Sequence, residues 1–85
     1  MPEISRFLGI VIFMNFNDHS PPHFHAKYGE YHITVEMETG IVEGKFPKRA
    51  LRLVAEWAEL HEVELMMNWH SMMTTGEFRK IAPLE

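Results

Sequence analysis

The chain has 85 residues and a net charge of -4 with histidine neutral, which is the length of one domain, 1–85. Hydrophobic residues at 46% and charged residues at 24% are globular rather than disordered composition. The acidic balance provides no global positive field for nucleic acid, and the absence of cysteine excludes a disulfide framework, a thiolate metal site and a cysteine nucleophile.

Met1 to Ser5 reads as a short lead-in. Phe7 to Met14 is a continuous apolar run, β-branched and aromatic, and reads as one strand buried on both faces at the centre of a sheet. It is too short to span a bilayer, and no secretory leader is legible before it, so a cytoplasmic protein with no membrane partner is expected. Asn15 to Pro22 is polar and proline-containing, a loop.

His23–Tyr28 and Tyr31–Met37 alternate around Gly29-Glu30, which suits a type II′ hairpin. A two-residue loop pairs Tyr28 with Tyr31, Lys27 with His32, Ala26 with Ile33, His25 with Thr34, Phe24 with Val35 and His23 with Glu36. Apolar then faces apolar and polar faces polar, which supports the register. Glu38-Thr39-Gly40 is a turn signal, and Ile41 to Glu43 a short further strand. Pro47 suits the first turn of a helix. Apolar residues at 50, 53, 54, 57 and 58 make a helical stripe. The stripe fails at His61, Glu64 and Asn68, and a second begins with Leu65, Met66, Trp69, Met72 and Met73. That phase slip predicts two helices broken near His61-Glu62, the second ending before Gly76. Phe78 to Leu84 reads as extended, with Pro83 restricting it to an edge or a tail. The expected fold is α+β: an antiparallel β-meander sheet of three to five strands packed against two C-terminal α-helices.

The chemistry concentrates in Asp18-His19-Ser20-Pro21-Pro22-His23-Phe24-His25. In a strand His23 and His25 share a face, about 7 Å apart. His23, His25 and Glu36 share a face and are candidate ligands for a divalent metal such as zinc, with Asp18 or His19 as an extra ligand. Metal-free acid–base catalysis by His23, His25 and Glu36 is the other chemical reading. Lys27, Lys48, Arg49 and Arg52, with Lys45, are candidates for binding phosphate or nucleic acid. Cations at a helix start oppose its dipole, which favours a use for them. The bland alternatives are a solvated hairpin face with histidines paired to neighbours, and a solvated helix face. Trp57, Trp69 and the methionines at helical spacing read mainly as core. The methionine surplus on the last helix marks a candidate dimer or partner surface.

The run Asn17-Asp18-His19-x-Pro21-Pro22-His23-Phe24-His25-Ala26, followed by Tyr28-Gly29-Glu30, resembles the hallmark of a small bacterial family, domain of unknown function 4160. Pro2 to Phe7, Pro47 to Leu51, the Trp57 region, Asn68-Trp69 and Ile81-x-Pro83-Leu84 also resemble it. The resemblance implies the toxin half of a type II toxin–antitoxin module, acting on RNA, DNA or translation. Its cognate small antitoxin would be a protein of domain of unknown function family 2442. It carries over no catalytic residue. The rival expectation is a non-enzymatic metal-binding regulator or protein-interaction module, and homo-oligomers are compatible with either.

Overall fold

The computed structural model describes residues 2–85. Five strands come first: β1 (Glu3–Phe7), β2 (Ile10–Phe13), β3 (His23–Tyr28), β4 (Tyr31–Glu36) and β5 (Val42–Lys45). Two helices follow, α1 (Lys48–Leu60) and α2 (Glu62–Thr74). The strands form one antiparallel sheet in sequence order, β1-β2-β3-β4-β5. The expected α+β meander with two C-terminal helices is the observed fold.

The β3–β4 hairpin has the register that polarity dictates, from Tyr28 opposite Tyr31 to His23 opposite Glu36. Gly29 supplies the positive φ, 58°, that such a tight turn demands. The apolar run from Phe7 to Met14 is different from expectation. It is not one strand but the inner part of a second hairpin, with Phe7 paired to Ile10. Leu8 and Gly9 both take positive φ, 50° and 82°, the backbone of a type I′ turn. Leu8 is left exposed at the tip. Glu3 to Ser5 of the expected lead-in join Arg6 and Phe7 as the edge strand β1.

Alternation divides the sheet into two faces. Ile12, Phe24, Ala26, Ile33 and Val35 are buried on one face, under the helices. Trp57 of α1 is fully buried there, its ring 5.9 Å from Phe24 and 5.6 Å from Phe7. Burying a side chain of that kind contributes about 1.5–3 kcal/mol. The helices break where the stripe slips. His61 has φ -122° and ψ 29°, outside the helical region, and separates α1 from α2. Gly76, at φ 81°, follows the C-cap Thr75, and its N–H donates to the Ser71 carbonyl.

Residues 77–85 carry no strand. They lie across the molecule as a strap, held at three points. The Ile81 N–H donates to the Ile4 carbonyl at 2.9 Å, and Trp57 Nε1 donates to the Ala82 carbonyl at 2.9 Å. Asn68 is buried and grips Arg79 twice, donating to its carbonyl and accepting from its N–H, each at 2.8 Å. A polar residue that looked like a flaw in the helical stripe is therefore a clamp. At the other edge, Gly44 of β5 has φ 108°, and a Cβ there would stand 2.4 Å from the His32 carbonyl oxygen. Among the described residues, no helix is long and apolar enough to cross a membrane.

Candidate metal centre

The second face of the sheet carries Phe13, His25 and His32 on neighbouring strands, with His23 at the start of β3. Polar alternation alone leaves this face in water. The loop between β2 and β3 instead folds back over it, with Ser20–Pro21 as its cis peptide bond. Asp18 and Asn15 of that loop reach His25, which is only 8% exposed. Phe13 stacks on the His25 ring at 4.8 Å and 9°. His32 meets the ring at its edge from the other strand, the centroids 5.2 Å apart and Nε2 3.0 Å from His25 Nδ1. The imidazole is thus held by aromatic contact on one face and by polar groups on its edges.

The hydrogen bonds restrict the tautomers. His23 Nδ1 lies 2.9 Å from the Pro21 carbonyl oxygen. A carbonyl only accepts, so Nδ1 carries the proton and donates. In the neutral ring, Nε2 is then a bare lone pair, and it faces Asp18 Oδ2 at 3.5 Å. His25 Nε2 is 3.0 Å from the same Oδ2 and 3.4 Å from the Asn15 side-chain nitrogen. It cannot donate to Asp18 and accept from Asn15 at once. His25 Nδ1 is 3.0 Å from His32 Nε2. When Nδ1 donates to His32, Nε2 of His25 is also a bare lone pair turned toward Oδ2.

In that tautomer two imidazole lone pairs and a carboxylate oxygen face one another, and they repel unless a proton or a cation sits among them. The three ligand atoms of Asp18, His23 and His25 lie within 4.8 Å of one another. Tetrahedral ligands at about 2.0–2.2 Å from zinc stand roughly 3.3–3.6 Å apart. Of the observed separations from Oδ2, 3.5 Å lies inside that range and 3.0 Å just below it. The Pro21 carbonyl and His32 orient the rings in the way that outer partners orient metal-binding histidines. Burial lowers the His32 pKa below its ordinary 6.5, and the neighbouring His25 and Lys27 add to the effect. His32 is therefore biased toward the neutral ring.

Of the residues singled out in the sequence, the fold brings Asp18, His23 and His25 together and leaves others apart. His19 is exposed and outside the cluster. Glu36 pairs with His23 across the strands, but its carboxylate accepts from the Thr39 hydroxyl at 3.2 Å. Lys27 and Lys45 flank His32 in one cross-strand row. Lys48, Arg49 and Arg52 are exposed on α1, in the helical layer rather than beside the histidines. Two contributors lay outside the expected ligand sets. His32 was legible on the polar face of the hairpin, diagonal to His25, whereas nothing local marked Asn15.

No curated protein and no solved structure matches the chain. A family model described as domain of unknown function (DUF4160) matches residues 9–70, a stretch that holds every residue of the cluster. The chain belongs to that family, DUF4160.

Proposed function

We propose that this protein binds a divalent transition metal through Asp18, His23 and His25. The observation that carries this reading is the tautomer lock on His23. Its Nδ1 is committed to the Pro21 carbonyl, and its Nε2 faces a carboxylate that also takes His25. Imidazole and carboxylate ligands suit zinc, with nickel, iron and manganese as the other candidates. Three protein ligands leave a fourth position open, where a bound metal supplies an activated water or polarises a substrate oxygen. The chain's own part is to hold the rings: the Pro21 carbonyl fixes the His23 tautomer, His32 meets His25 Nδ1, and Phe13 fixes the plane of His25.

The test is zinc titration of chelator-stripped protein, with metal counted by elemental analysis and thermal unfolding followed by circular dichroism. Stoichiometric zinc and a raised Tm in the wild type, both lost in a folded His23→Ala variant, support the site. Absence of binding for zinc, nickel, iron and manganese alike removes it.

A second reading uses the same atoms without metal. His32, His25 and Asp18 form a chain with 3.0 Å at each step, a path for a proton from the surface to a carboxylate. The toxin role that the family resemblance implies would operate through either chemistry on this face. Inducible expression in a bacterial host tests that role. Arrest by the wild type and not by a folded His25→Ala variant supports it, and growth unaffected by either argues for a binding module.

A further inference from the structure

A separate feature lies against the helical layer, and none of Asp18, His23 and His25 lines it. A groove of about 630 Å³ runs between the β4–β5 turn and the two helices. Phe24, Val35, Val54 and Leu65 form its apolar floor. Its rim carries Glu36, Glu38, Glu59 and Glu62, and none of the residues lining it is basic. The groove opens at Met66, which also lines a shallow apolar depression with Val63 and Met67. Those two side chains are 72% and 62% exposed, so apolar surface continues over the shoulder of α2.

We propose that this groove is the docking site for a basic, amphipathic peptide segment of a partner protein. Apolar side chains of the segment fill the floor and cover the methionines, and its Lys or Arg residues meet the glutamates on both walls. Charge decides the occupant. A like-charged segment is repelled from a rim with carboxylates on two sides. A purely basic segment leaves the apolar floor in water. Methionine at the groove mouth adapts to an irregular apolar partner, and a helix or strand laid in such a groove is a recurring mode of peptide recognition.

The experiment is selection of a displayed random-peptide library on the folded chain, followed by fluorescence anisotropy with the winning synthetic peptide. The expected winners carry two or three large apolar residues flanked by Lys or Arg, and bind more weakly as salt rises. The variant Glu38→Lys/Glu59→Lys should weaken binding at least tenfold. The control Glu77→Lys/Glu85→Lys, with the same change in net charge on residues that do not line the groove, should bind as the wild type does. Circular dichroism and the Tm check that both variants fold, and Met66→Glu provides a second break if the charge reversal unfolds the chain. Equal loss in control and test variants reduces the effect to net charge and overturns the proposal. So do the absence of any winner, winners without basic residues, and sedimentation showing that the groove is already closed by a second copy of the chain.

Discussion

The two faces of the β3–β4 hairpin start from the same alternation and end differently. On one, Phe24, Ala26, Ile33 and Val35 are covered by helices far away in sequence, and every contact is apolar packing. On the other, the loop immediately before them folds over His23 and His25 and hydrogen-bonds to both rings, Phe13 stacks on His25, and Trp69 of α2 meets the His23 ring at 5.2 Å. The first face tolerates changes that preserve volume. The second does not, because it depends on which nitrogen holds a proton.

That contrast can be broken at several points. The largest effect should come from Trp57→Ala, which opens a cavity on the helical face. It should cost about 3–5 kcal/mol, a large share of the total for so small a domain, read by denaturant unfolding. Zinc should leave that deficit in place while stabilising what remains folded. At zinc a hundredfold above its Kd the wild type should gain about 2.7 kcal/mol, seen as a raised Tm, and a folded Asp18→Asn variant should gain much less. If Trp57→Ala abolished zinc binding in its folded fraction, the two faces would be coupled after all.

Removing the clamp with Asn68→Ala should cost about 1–3 kcal/mol, since it strands both polar groups of Arg79. Faster amide exchange at Ile81, with no change at His25, would place that loss in the strap. The smallest effect is a pH slope. In chelator-treated protein His32 has a lowered pKa, so the folded state prefers its neutral form. The sign follows from proton binding: the unfolded chain binds the proton first as pH falls. The stability is therefore present above about 6.5, the ordinary histidine value, and is lost as pH drops through the lowered folded value. Thermal scans should show a shallower acid-side decline in His32→Asn than in the wild type.

The sequence carried the hairpin register because polarity and turn chemistry agreed residue by residue from His23 to Glu36. It carried the helix break because a stripe cannot change phase within one straight helix. The first hairpin was hidden because Leu8, a turn residue, is as apolar as the strands it joins. Gly9 was the available signal, outweighed by the length of the run. Within the site, Asp18, His23 and His25 were legible as residue types clustered in sequence. The covering of the face was not, since burial of a polar strand surface depends on where a loop lies. Asn15 and the exclusion of His19 are consequences of that loop path, and no local pattern encodes it.

Gly44 holds no ligand atom, yet it sets the seat of the ring that braces His25. Only a hydrogen fits between its backbone and the carbonyl of His32. A methyl group there would wedge β5 away from β4 at the residue that braces His25. In a blind mutational survey of function, this edge-strand glycine should sort with the histidines rather than with the other turn and edge positions. Its phenotype would be mistaken for chemistry when its origin is clearance.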